Sequence, residues 1–272
     1  MMHAMILMLA NNTGRNVRNL WKQYPDRFAC MFGLTGFRNV PIPYCCDNGR
    51  FIATTKNKPW VEKQFAELLE KSAEHTHPPI FVTTPDVVAD RDATLREWDK
   101  WTHPTSWFMS YNFPRAFVAQ DGMTPDDVPE NADWVFIGGS QKWKRQNIYR
   151  FCRAFENVHV GGINSPRGLW HCHESGAKSI DGTGWCRGDK KQWIGLLQYL
   201  YRSQNALGEK QGRLFAMYEA DAMGARMDRK SVQWLQAYCL PKTHGDTPVD
   251  STETRLIDES LVEIIEANNG KA

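Results

Sequence analysis

The sequence predicts an α/β protein: a single (β/α)8 barrel of the TIM-barrel class, closed by C-terminal helices. Three observations carry that expectation. Eight short apolar runs follow one another between residues 4 and 180, most of them leading into a polar or glycine-containing turn. Each run is rich in Val, Ile, Phe or Met, the pattern of parallel strands buried on both faces. The length of 272 residues suits one such barrel, which takes about 250 residues.

The first runs are Ala4–Ala10, Arg27–Leu34 and Val40–Cys46, with Gly36–Pro43 read as a loop that carries no helical pattern. A helix opens at Pro59-Trp60-Val61-Glu62 and runs through Leu68, Leu69 and Glu70 toward the fourth run, Pro79–Thr84. Asp90-Arg91-Asp92 opens another through Leu95 and Trp98, with Asp90 as its cap, before the fifth run, Arg115–Ala119. The sixth run, Asp133–Ile137, leads into a helix over Gln141–Phe155 with Ile148, Phe151, Cys152 and Phe155 at helical spacing. Asn157–Val160 and Ala177–Ile180 complete the eight. Lys190–Tyr201 places Ile194, Leu197, Leu200 and Tyr201 on one stripe. The chain then reads as helical through Ala237, polar and loop-like over Thr243–Thr254, and helical again with Leu256, Ile257, Leu261, Ile264 and Ile265 as an apolar face. The barrel is thus expected over about residues 4–200 and the closing segment over about 201–272, as one domain 1–272.

Composition narrows the function classes. Apolar residues at 42% and charged residues at 24% exclude a disordered or fibrous chain. Basic residues number 33 and acidic residues 31, so the net charge of +2 excludes a polycation that holds nucleic acid by total charge alone, though not a local basic groove. The seven cysteines are odd in number, irregularly spaced and without a Cys-x-x-Cys pair, which points to reduced thiols in a cytoplasmic protein. Met5–Leu9 is too short for a secretory signal, and no apolar run reaches the roughly 20 residues of a membrane span. No membrane partner is expected. The cluster His171-Cys172-His173 resembles a metal site, but adjacent helical residues face different ways, so no metal is expected there.

In barrel enzymes the chemistry lies at the C-terminal ends of the strands. Here those ends carry Asp47-Asn48-Gly49-Arg50-Phe51, Asp86, Gln120-Asp121-Gly122-Met123, Gly138-Gly139-Ser140, Gly161-Gly162-Ile163-Asn164 and Asp181-Gly182. Asp47 and Asp181 each have a glycine close by, where a ligand can approach the backbone. Asp86 is read either as a cap or as a site residue, and the glycine pairs either as tight turns or as ligand contacts. Phe51 suits a hydrophobic core and a stacked ligand equally.

Together these segments resemble the tRNA-guanine transglycosylase superfamily, and most of all its small DNA-acting branch, the 7-deazaguanine DNA transglycosylases of phages and bacterial genomic islands. Asp47–Phe51 is similar to that family's Asp-Ser-Gly-Gly-Phe segment. Gln120–Met123 is similar to its Gln-Gly-Gly-Met, Phe136–Gly139 to its Val-Gly-Gly segment, and Ile180-Asp181 to its nucleophile strand, with Arg187 on an arginine just downstream. The resemblance covers about residues 4–190, in the family's order.

The resemblance implies a (β/α)8 barrel that exchanges guanine in DNA for a 7-deazaguanine such as preQ0, modifying phage DNA against restriction. It implies Asp181 as nucleophile and Asp47 as general acid/base. Asp86, Gln120, Gly138, Gly139, Asn48 and Phe51 are then the base-binding set. The partners implied are DNA and the free deazaguanine base. Because the sugar–base bond is made again, no cofactor is implied. The tRNA enzymes carry a zinc motif after the nucleophile, and this sequence has only Cys239 and His244 in that region, so no structural zinc is expected.

A target base must leave the duplex to reach such a pocket, unless the substrate is single-stranded. Lys142, Trp143, Lys144 and Arg145, and likewise Trp185, Arg187, Lys190 and Lys191, interleave cations with aromatics, which suits stacked bases and phosphates. Either patch also suits a solvated helix face with a half-buried Trp. Most of the 11 Trp, among them Trp98, Trp101 and Trp193, are expected to pack between helices and barrel. The alternatives are the same exchange on tRNA, a non-enzymatic nucleic-acid-binding barrel, and a barrel glycosidase acting on sugars.

Overall fold

The computed structural model describes residues 5–11, 13–186 and 190–205. The chain divides into two compact units, Met1–Gly188 and Asp189–Ala272. Of the second unit, one helix is described, Lys190–Asn205. The expected elements beyond it lie outside the described residues.

The first unit is a closed barrel of eight parallel strands paired in sequence order. The strands are β1 (Ile6–Ala10), β2 (Phe28–Phe32), β3 (Tyr44–Cys46), β4 (Val82–Thr83), β5 (Arg115–Ala119), β6 (Trp134–Ile137), β7 (Val158–Val160) and β8 (Ser179–Gly182). Following the pairing register from β1 through β8 and back to β1 returns eight residues down the first strand, the stagger of a TIM barrel.

The third strand is shorter than its apolar run because Pro41 and Pro43 lack amide donors for the ladder. The Pro43 carbonyl still accepts from Cys30 N at 2.8 Å. The eighth strand runs past Ile180, so Asp181 lies in the ladder opposite Met8 rather than in the turn after it.

Helices α1 (Arg15–Gln23), α2 (Arg50–Thr55), α3 (Glu62–Ala73), α4 (Arg91–Thr102), α5 (Gln141–Ala154) and α6 (Pro166–Ser175) lie between the strands. Side-chain oxygens start three of them. Asp90 accepts from Ala93 N at 2.9 Å, Ser140 from Trp143 N at 3.3 Å, and Ser165 from Gly168 N at 3.1 Å. A left-handed Gly176 ends α6.

Two apolar layers hold the barrel. Inside, Met8, Ala29, Met31, Cys45, Phe81, Ala116 and Trp134 form one cluster with Phe136 against it. Outside, Phe32, Tyr44, Val82 and Cys46 meet Phe65, Leu68 and Leu69 of α3 and Trp101 of α4. Trp98 and Trp101 are buried, which is the packing role expected of them. No described helix is long and apolar enough to cross a membrane.

Candidate active site

Because all eight strands run the same way, their C-terminal ends share one mouth, and the polar residues of the sequence motifs meet there. Asp47 follows β3, and its backbone N–H extends the ladder to Phe32 O at 2.7 Å. Its carboxylate accepts from Gly49 N at 3.3 Å. Gly49 is left-handed at φ +76°, and a Cβ there would overlap the Leu34 side chain. The turn that aims Asp47 into the mouth therefore requires glycine.

Burial pushes the Asp47 carboxyl up to about 7, with the negative charges of Asp181 and then Asp86 adding to it, while the Gly49 and Asn48 amides oppose. Asp47 therefore holds its proton closer to neutral pH than an ordinary carboxyl does.

Asp181 is held at both oxygens. Oδ1 accepts from Gly162 N at 2.9 Å, and Oδ2 lies 3.0 Å from His159 Nε2. His159 is fully buried inside the barrel (0% exposed), between Phe136 and Phe81 at centroid distances of 4.6 and 5.2 Å. Its Nδ1 lies 2.8 Å from Ser179 Oγ. The mouth thus holds two carboxyls in unlike environments, Asp181 bonded at both oxygens and Asp47 raised in part by the Asp181 charge.

A second polar knot lies after β4. Asp86 is buried, and it accepts from Asn48 Nδ2 at 2.9 Å and from Gln120 Nε2 at 2.6 Å. Burial raises its carboxyl to about 6 against the lowering effect of Asn48, the Arg50 charge and Gln120. It does not cap a helix, which removes one of the two readings of Asp86.

Asn48 is buried and committed internally. Its amide also donates to Thr84 O at 2.9 Å, and its Oδ1 accepts from Arg50 N at 2.8 Å. It supports Asp86 rather than facing the opening. Gln120 is buried as well, with Oε1 accepting from Ala89 N at 3.1 Å.

The loop after β6 is fastened by Asp121, which accepts from Ser140 N at 2.6 Å and from Ser140 Oγ at 2.5 Å. Gly138 N–H is bonded to Ala119 O at 2.9 Å. Gly139 is left-handed at φ +68°, and a Cβ there would strike the Asp121 carboxylate and the Trp143 ring.

Phe51 is 61% exposed on the first turn of α2, so the core reading is excluded for it. The barrel brings Asp47, Asn48, Phe51, Asp86, Gln120, Gly138, Gly139 and Asp181 to the same end.

The basic patches are placed differently. Lys142 and Arg145 are exposed on α5, and Trp143 is half-buried with its ring edge-on to Phe151 at 5.9 Å. Lys144 is a correction: it is 5% exposed, and its Nζ donates to Gly161 O at 2.5 Å beneath the β7 turn. Desolvation lowers its pKa, so it is not a surface cation for phosphates.

Trp185 is a second correction. It is 1% exposed and donates to Ile163 O at 2.7 Å, with no ring face left for a base. Arg187 lies outside the described residues. Lys190 and Lys191 begin the helix of the second unit, and their side chains lie outside the description as well.

The sequence pattern gives no role to His159 or Arg50, and it marks Gly162 only as part of a glycine pair rather than as a donor to Asp181. A histidine inside Val158–Val160 is the signal that could have singled out the first, since a polar ring in a strand buried on both faces needs partners. Arg50 lies 4.0 Å over the Trp60 ring and pairs with Glu97 at 3.2 Å. His171 Nε2 contacts Arg145 O at 3.0 Å and Cys172 is buried. Among the described residues no group of three or more His, Cys, Asp or Glu is placed to hold a metal ion. No protein-family model matches the chain, and no curated protein matches it either.

Proposed function

We propose that the chain is a DNA guanine transglycosylase, exchanging guanine for a 7-deazaguanine base through a covalent aspartyl intermediate. The observation that carries this reading is the pairing at one barrel mouth of Asp181, held at both oxygens, with Asp47, raised to about 7 in part by the Asp181 charge. Two carboxylates in unlike environments divide the nucleophile and acid/base roles.

An oxygen of Asp181 attacks C1′ as the C1′–N9 bond breaks, and the electron pair leaves with the base. The proton carried by Asp47 goes to the departing guanine. The incoming deazaguanine returns its N9 proton to Asp47 while N9 attacks C1′, which releases Asp181 unchanged. Proton and electron counts balance over the cycle.

Asp86 is the acceptor for N1–H and the exocyclic amine of the base, with Asn48 holding it in place. Gln120 and Gly139 N–H serve the O6 side, and Phe51 covers the base. Gln120 must turn part of its amide from Asp86 and Ala89 to do so. Lys142, Trp143 and Arg145 are the described residues that suit the DNA backbone at the rim. The missing zinc motif favours DNA over tRNA.

The test is incorporation of a labelled 7-deazaguanine by the purified protein into DNA and, in parallel, into tRNA. Label entering DNA with wild type and not with Asp181→Ala supports the proposal. Label in tRNA alone moves the chemistry to the tRNA reading, and full exchange by Asp181→Ala removes the covalent mechanism.

A further inference from the structure

We propose that His159 is a positioning residue for Asp181, and that the Ser179 hydroxyl makes it one by fixing which ring nitrogen carries the proton. The proposal rests on Asp181 being the nucleophile of the exchange.

The placement follows from the barrel. His159 pairs in register with Ser179 and with Phe136, so all three side chains share the inner face of adjoining strands. Asp181 lies two residues beyond Ser179 on that same face, one step nearer the mouth. The imidazole therefore spans two levels of the barrel, with Nδ1 toward Ser179 Oγ at 2.8 Å and Nε2 toward Asp181 Oδ2 at 3.0 Å.

Hydrogen-bond chemistry then assigns the protons. An ionised carboxylate only accepts, so Nε2 donates to it. The buried Ser179 hydroxyl proton needs an acceptor, and Nδ1 is within bonding distance. Left unmade, that bond carries the full desolvation cost of the hydroxyl. Nδ1 therefore accepts and the ring is the neutral Nε2–H tautomer.

With Gly162 N–H on Oδ1 at 2.9 Å, the carboxylate is fixed at two points, one within β7 and one in the turn after it. Each oxygen keeps a lone pair for C1′. Phe81 and Phe136 hold the imidazole from the sides, so the donor cannot swing away. A ring protonated on both nitrogens would instead tie Asp181 into an ion pair and weaken it as a nucleophile.

Two measurements test this on the full chain. In the 15N-labelled protein at neutral pH, the ring of His159 should show a pyrrole-type Nε2 and a pyridine-type Nδ1, and Ser179→Ala should release that preference. A pyrrole-type Nδ1 in the wild type overturns the proposal.

The second measurement is the rate of covalent adduct formation with guanine-containing DNA. His159→Phe fills the space between Phe81 and Phe136 without a donor and should slow it by roughly 10- to 100-fold, the loss of one hydrogen bond to a charged group. His159→Gln restores an amide donor near the Nε2 position and should recover most of the rate. His159→Phe at wild-type speed, or His159→Gln as slow as His159→Phe with both variants folded, overturns the proposal. If wild type forms no adduct and exchanges no base, the transglycosylase reading fails, and the ring spectrum alone decides the Ser179–His159–Asp181 arrangement.

Discussion

Replacing Asp47 by Asn should make the protein's stability less sensitive to alkaline pH. The carboxyl moves from 3.8 to about 7 on folding, so the fold favours its protonated form. With the folded pKa raised, this contribution is fully present below the unfolded value and is lost as pH rises through about 7. Three units at about 1.36 kcal/mol each set a ceiling of about 4 kcal/mol. Between about pH 5 and about pH 8 the linkage integral is about 2.5 kcal/mol of that. Asp47 is partly open to solvent, so screening reduces the expected effect to about 1 kcal/mol. In Asp47→Asn the new amide is the right size and keeps an acceptor for Gly49 N–H, so the variant should lose that increment of pH dependence. Urea unfolding of both proteins at the two pH values gives the difference of differences, in which the other titrating groups largely cancel. If both proteins lose the same stability between about pH 5 and about pH 8, the Asp47 carboxyl is not raised, and its assignment as a proton carrier at neutral pH falls with it.

Three further outcomes are expected. Exchange should rise with pH as Asp86 ionises near about 6 and fall as Asp47 loses its proton near about 7, so kcat/KM against pH should be bell-shaped; a rate that keeps climbing well above about pH 8 would remove Asp47 from the acid role. Lys142→Ala and Arg145→Ala should each lower the slope of DNA affinity against salt by about one, whereas Lys144→Met should leave the slope unchanged because that ammonium faces Gly161 O; a changed slope for Lys144→Met would return it to the DNA surface. Gly139→Ala should cost at least about 1–2 kcal/mol in thermal or urea unfolding, from the left-handed backbone alone, with the Cβ also displacing Asp121 or Trp143; wild-type stability would mean that the loop after β6 adopts another backbone.

The barrel was legible because each strand carries its own signal. A run such as Phe28–Phe32 is buried along its whole length, and such a run differs from its flanks in composition alone. What composition does not encode is where the ladder stops. Proline at 41 and 43 shortens β3, and the pairing of Asp181 with Met8 carries β8 two residues beyond its apolar run. The first is local chemistry that a stricter reading of Pro would have found. The second depends on a partner strand at the far end of the barrel sequence.

The same distinction explains the site. Asp47, Asp86, Gln120 and Asp181 could be placed at one barrel end from the sequence because strand order alone brings strand ends together. Their hydrogen-bond partners could not, since Asn48 reaches Asp86 across 38 residues and His159 reaches Asp181 across 22. The two misplaced residues fail for one shared reason. Lys144 and Trp185 have long side chains with one polar atom at the end, and each finds a single backbone carbonyl in the adjoining β7 turn, Gly161 O and Ile163 O. A carbonyl in a tight βα turn with no ladder partner needs a donor, and the nearest Lys and Trp supply it by folding inward. Interleaved cations and aromatics beside a barrel mouth therefore turn inward where a turn carbonyl within their reach lacks a donor. Lys142 and Arg145, on the outer side of α5, stay exposed, and the proposed DNA contact rests on them.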